Sequence, residues 1–322
     1  MKEKSGTIMK THMPVLDSEQ ENLKDIKLKR DHLPALYHTA TLESGNAQNS
    51  LLRLTKLNLL FLMLGATLGA INLSGITDPN YRYLIAYGST AMLIISIIIT
   101  FAMEQAKYER KWYDGRAIAE SIKTLAWRFM MNSEPYKSEA KPHDRFRDDL
   151  HAVLKDRKSF AELLGGETST HQQLTDTMEK IRKSDLNTRK QVYLVNRIQN
   201  QKKWYNQKSK INRSHGTTFF WILIGVQVAA ILASILLQRT PEFIFNPTGV
   251  LTTVAAGLLA WMQLKQYRTL AESYGLTTHE LGIIESKVQD IRSNEDFSDF
   301  VLEAETAISR EHTVWLARRV NV

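Results

Sequence analysis

The sequence predicts an all-α membrane protein in which two transmembrane helical hairpins extend into a cytoplasmic helical bundle. Three observations predict it. Four charge-free apolar runs, Leu57 to Thr77, Tyr83 to Met103, Ser214 to Gln238 and Phe243 to Leu264, each match the roughly 20 residues a helix needs to cross the hydrocarbon core of a bilayer. Apolar stripes stepping by three and four continue beyond the second and fourth runs. Strand-type alternation is nearly absent. Averaged over all 322 residues, 43% apolar and 24% charged would suit a soluble protein, so it is the segregation of the apolar residues that carries the assignment.

In chain order, residues 1–34 are expected to be a cytoplasmic, partly disordered segment. The stretch from Met1 to Ser50 carries Lys2, Lys4, Asp17, Glu19, Lys24 and Arg30 but no apolar core, so no cleavable signal peptide is read there. The first hairpin follows, with spans over about 57–77 and 83–103 joined by Asp78-Pro79-Asn80, residues that stop a helix and favour a tight turn. Beyond it, Trp112, Gly115, Ala119, Ile122, Ala126 and Phe129 form one stripe, uninterrupted by proline until Pro135. Two further helices are expected around Gly165-Gly166, with Thr168 to Thr170 able to cap the second.

The charged stretch from Leu186 to Arg213, with Tyr193, Ile198 and Tyr205 as sparse apolar points, reads as a helix leading directly into the third span at 214–238. Asn246-Pro247 turns the chain into the fourth span at 246–264. The stripe of Tyr267, Leu270, Tyr274, Thr277, Leu281, Ile284, Val288 and Ile291 should continue that span as one unbroken helix. No proline follows Pro247, and the isolated Gly275 and Gly282 cost only about 1 kcal/mol each. Phe297, Val301, Ala304, Ile308 and Trp315 share one face of a final amphipathic helix over 296–322, folded back on the bundle.

Charge sets the orientation. The two hairpin turns hold one arginine each, Arg82 and Arg239, whereas Arg53 and Lys56 precede the first span and Lys202, Lys203, Lys208, Lys210 and Arg213 crowd the third. The positive-inside rule then places both termini and the central segment in the cytoplasm. The net charge of +8 follows from this arrangement and suits contact with anionic lipid; no nucleic acid partner is expected.

Arg116-Ala117-Ile118-Ala119-Glu120-Ser121 matches Arg268-Thr269-Leu270-Ala271-Glu272-Ser273, each copy lying just inside the membrane after a hairpin. This reads as a diverged duplication of one unit, over 35–165 and 166–295. Around the first copy, Trp112-Tyr113-Asp114-Gly115-Arg116 through Met130 resembles the segment that follows the hairpin in one branch of the SLATT family. Those are two-helix membrane effectors associated with SMODS nucleotidyltransferases and SLOG domains in bacterial conflict systems. Tyr193-Leu194-Val195-Asn196-Arg197-Ile198, with Gln201, Trp204-Tyr205 and Lys208, resembles the entry to the hairpin of another branch, and Tyr267 through Glu272 its exit. The resemblance implies an effector that permeabilises the bacterial inner membrane in a nucleotide-signalled antiphage response. It carries no catalytic residues with it.

The residues themselves exclude much. Cysteine is absent, removing thiolate catalysis and Cys-ligated metals; no phosphate loop, Gly-x-Ser-x-Gly or His-Glu-x-x-His occurs, so no enzyme, metal or cofactor is read. No charged or histidine side chain lies within the apolar core of a span, which leaves a proton relay or ion-coupled transporter without its usual equipment. Gly65 and Gly69, with Gly225 and Ala229, form small-residue faces suited to close helix packing. Thr67, Thr90, Ser96, Thr100, Thr252 and Thr253 can bond back to their own helices, whereas Gln227 needs a partner or water and is the best single candidate for a pore-facing or interhelical contact. Arg116 with Glu120 and Arg268 with Glu272 are either surface ion pairs or elements that couple bundle to spans. The reading is an oligomeric effector, since four spans are too few to enclose a wide polar pore, responding to a cytoplasmic sensor or nucleotide-derived trigger. The alternative is a membrane-anchored scaffold that recruits a partner and does not conduct.

Overall fold

The computed structural model describes residues 23–24, 26–156, 172–239 and 245–320, without the side chains of Ser74 and 310–320. The expected features at residues 1–22, Gly165-Gly166, Thr168 to Thr170 and the Trp315 side chain lie outside the described residues. The described chain is helical, with no strands and four helices apolar and long enough to cross a membrane. It is an all-α, multi-pass membrane protein.

The first hairpin is built from α1 (Ala35–Gly69) and α2 (Pro79–Ala106). α1 ends eight residues short of the expected Thr77: beyond Gly69 the run contains Asn72, Ser74 and Gly75, poor helix formers, and folds into a turn with one 3-10 segment at Leu73–Gly75. Asp78, expected within the turn, caps the start of α2 instead, its carboxylate accepting from the Asn80 amide at 2.8 Å with Pro79 in the first turn. α3 (Tyr108–Met130) and α4 (Pro142–Lys155) continue beyond the apolar spans. Thr175 caps α5 (Asp176–Lys183) and Asp185 caps α6 (Leu186–Tyr193). A π-helical segment at Leu194–Gln199 joins α6 to α7 (Asn200–Arg239), so helix runs from Leu186 through the third span. At about 1.5 Å per residue, the 40 residues of α7 reach roughly 60 Å, twice the hydrocarbon thickness. α8 (Pro247–Lys265) is the fourth span, α9 (Tyr267–Ser286) follows it, and α10 (Asn294–Val320) closes the chain.

The expected unbroken helix through the fourth span is corrected here. Gln266, between α8 and α9, has φ of 47° and ψ of 41°, in the left-handed region, and Lys107 between α2 and α3 has φ of 49°. Neither is glycine, so each break carries a cost of about 1–2 kcal/mol. What offsets it is packing. α9 lies against α7 and buries Tyr267, Ala271, Tyr274, Thr277 and Leu281, and a one-residue break re-phases this face relative to the face of the span above it. Proline and glycine scanning misses such a break because tertiary contacts impose it. Gln266→Gly should therefore raise thermal stability and Gln266→Val lower it, each by about 1 kcal/mol, read as the unfolding midpoint in detergent. The breaks also place the repeats differently, with Arg116 nine residues past Lys107 and Arg268 two past Gln266.

α1 packs against α2 and α3, α7 against α8 and α9, and the two hairpins meet along α1 and α8. Their turn ends are tied by the Asn246 amide, which donates to the Ala70 carbonyl at 2.9 Å, beside a bridge between Ile71 and Phe245. At the opposite end Trp261 lies between the ammonium groups of Lys56 and Lys265, 5.3 and 5.8 Å from its ring, an arrangement suited to a membrane interface. The spans expose large apolar side chains such as Leu84, Tyr87, Ile97, Phe101, Trp221 and Leu236, as lipid contact requires. The packed core lies below them, where α10 returns to α3 and α9 and buries Phe297, Val301, Ala304 and Ile308 among Ile122, Trp127, Phe129 and Tyr193.

Candidate functional site: span interior and the charged core beneath it

The hydroxyls inside the spans are used locally. Thr67 donates to the Met63 carbonyl, Thr90 to Ala86, Thr100 to Ser96, Thr252 to Thr248 and Gly249, and Thr253 to Gly249, at 2.7 to 3.0 Å. Ser96 donates to the Asn58 side-chain oxygen at 2.5 Å, and the Asn58 amide donates to Thr100 at 3.2 Å, so this polar trio is satisfied between α1 and α2.

The small-residue faces divide into two kinds. A Cβ added at Gly65 would stand 3.0 Å from Leu93 Cδ2, and Ser89 donates to the Gly65 carbonyl at 2.9 Å, so Gly65 holds α1 and α2 in close contact. Gly69 faces Ser89 in the same seam. Gly225 meets nothing within 4 Å, and Ala229 is half-buried. Gly65→Leu should separate the first hairpin and lower its stability by about 1–3 kcal/mol. Gly225→Leu should leave the fold of one chain unchanged, which a thermal melt of both variants would show.

Gln227 stands apart from the other polar span residues. It lies near the middle of the third span, is exposed on the outside of the hairpin, and has no hydrogen-bond partner among the described residues. A bare carboxamide at that depth is costly unless water or another helix reaches it.

At the base of the hairpins, Arg268 sets its guanidinium 5.2 Å over the Phe220 ring, with Glu272 exposed on the next turn. Arg116 and Glu120 are half-buried on α3, and Glu120 lies 3.9 Å from the Lys123 ammonium. That contact leads to a buried cluster which sequence reading missed. Arg197, on the π-helical segment, donates to both carboxylate oxygens of Glu305 on α10, at 2.8 and 2.6 Å, and both side chains are 1% exposed. Tyr193 and Thr124 donate to the same carboxylate at 3.0 and 2.9 Å. With its amide oxygen turned toward the cations, Gln201 accepts from Lys123 at 2.8 Å and from Arg197 at 3.0 Å. Burial pulls the Lys123 pKa down, whereas Glu305 overrides the same penalty at Arg197 and keeps the guanidinium charged. The signal was there: Glu305 lies four residues after Val301 and three before Ile308, on the apolar face of α10.

Residues 34–190 match the profile of SMODS and SLOG-associating 2TM effector domain 3, and residues 193–315 match that of SMODS and SLOG-associating 2TM effector domain 1. The chain carries two SLATT domains in tandem. Neither a curated protein nor a solved structure gives a match. The SLATT domains are two-helix membrane effector domains, and each supplies one of the hairpins. The charged cluster joins them: Lys123 and Thr124 belong to the first SLATT domain, and Tyr193, Arg197, Gln201 and Glu305 to the second. Arg182 and Arg189 add a second set of ties from within the first domain, donating to the carbonyls of Phe129 and Met131 at the C-terminal end of α3, each at 2.7 Å.

Proposed function

We propose that the tandem SLATT protein is an oligomeric effector of the bacterial inner membrane, with both termini in the cytoplasm, that forms a conducting path when several copies associate. Gln227 carries this reading. In one chain its carboxamide faces outward near mid-membrane without a partner among the described residues. A second copy, or a water-filled lumen bounded by several copies, supplies the missing hydrogen bonds. The uncharged span interior favours passive conduction over coupled transport. A cytoplasmic trigger, nucleotide-derived in such a conflict system, acts on the bundle, and the charged cluster transmits the change because it ties both domains into one core.

Purified full-length protein in liposomes, with an extract from infected cells added to supply the trigger, should release an ion-sensitive dye with a rate that rises more steeply than linearly with protein density, as assembly requires. Exchanging the spans for unrelated apolar hairpins should abolish membrane depolarisation in cells. Activity retained after that exchange would mean that the spans only anchor a scaffold, and would overturn the reading.

A further inference from the structure

A groove of about 710 Å³ runs along the cytoplasmic half of the second SLATT domain, between α7 and α9. One wall is a single face of α7 carrying Lys202, Lys210 and Arg213; the other is a single face of α9 carrying His279 and the hydroxyls of Thr278 and Ser286. The eleven helical rises from Lys202 to Arg213 make it roughly 16 Å long, and Arg213 sits where α7 enters the membrane. Glycine makes the space. Gly282 and Gly275 line the floor, and a Cβ at Gly282 would lie 3.8 Å from the Lys202 ammonium nitrogen, so any side chain there would project toward the cations. None of the lining side chains is acidic. Glu285, just beyond the lining, holds Lys202 at 2.7 Å and fixes it in place, while Lys210 and Arg213 are exposed.

Lysines required only for membrane topology would need no glycine-floored groove opposite them. Thr278 and Ser286 spend their protons on the Tyr274 and Ile283 carbonyls of their own helix, so it is the cations spaced along one wall, with no carboxylate in the lining, that match a phosphate-bearing anion. We propose that this groove binds a phosphate-bearing anion, either a soluble polyphosphate compound or the headgroup of an anionic phospholipid entering from the Arg213 end. Binding is read without conduction, so the proposal stands or falls separately from the pore.

The test uses full-length protein in phosphatidylcholine nanodiscs. One arm titrates inorganic tripolyphosphate by calorimetry; the other adds phosphatidylglycerol to the nanodisc and measures, by mass spectrometry, its retention over phosphatidylcholine. Lys210→Gln with Arg213→Gln should weaken binding by roughly tenfold or more, since each removes a charge-assisted contact. Gly282→Leu, which fills the groove and leaves its charges alone, should do the same. Lys203→Gln with Lys208→Gln removes equal charge from outside the groove and should change little. Tripolyphosphate binding with this pattern identifies a soluble ligand, and selective phosphatidylglycerol retention with this pattern identifies a lipid. Binding in neither arm, equal loss in the Lys203 and Lys208 variant, or unchanged binding in Gly282→Leu would overturn the proposal.

Discussion

Glu305→Ala should lower the stability of the helical core beneath the spans by about 3–5 kcal/mol, the largest structural effect expected of any single substitution in this chain. The carboxylate accepts from Arg197, Tyr193 and Thr124 and is 1% exposed, so its removal leaves a buried guanidinium without a counter-charge and two donors without an acceptor. The loss should appear as a fall in unfolding midpoint on the order of 10 °C. Trp127 offers a local reporter, since it is buried and meets Tyr193 edge to face at 5.6 Å. Replacing both partners, Arg197→Met with Glu305→Leu, should recover the part of the loss due to the unpaired guanidinium, leaving only the Tyr193 and Thr124 hydroxyls without their acceptor. The double variant then separates two roles. If the cluster serves only stability, the recovered protein keeps full function; if it links the two SLATT domains, the protein folds and responds poorly to its trigger.

Gln227→Leu should reduce ion flux roughly tenfold or more while leaving insertion and the fold of a single chain unchanged. An interhelical hydrogen bond in the membrane contributes about 1–2 kcal/mol, close to a factor of ten per contact, and in a closed ring every copy loses it. The surrounding face is apolar, with Val228, Ile231 and Leu232 exposed, so leucine suits lipid better than glutamine does. Unchanged flux in this variant would remove Gln227 from any conducting path or assembly contact.

The features fixed by periodicity and solubility were readable from residues alone. The four spans, the direct passage from Leu186 into the third span and the buried face of α10 all follow from local patterns, and the structure contains them. The breaks at Lys107 and Gln266 were not readable, because left-handed backbone at a lysine and a glutamine is imposed by packing rather than by local preference. Arg197 escaped for a different reason. It lies four residues after Tyr193 and one before Ile198, both buried, so the spacing already points inward and it was the charge that hid the position. The two i, i+4 pairs were visible as spacing, but Arg268 turns to Phe220, a contact between α9 and α7 that spacing within one helix does not encode.

The central claim, that several copies of this tandem SLATT protein together form the conducting path, is tested most directly by counting chains where current flows. Protein labelled with one fluorophore per chain, placed in a planar bilayer and recorded optically and electrically together, should show current only at spots that bleach in several steps, with Gln227→Leu spots remaining silent. Current through spots that bleach in a single step, or multi-step spots that never conduct after addition of an extract from infected cells, would contradict it.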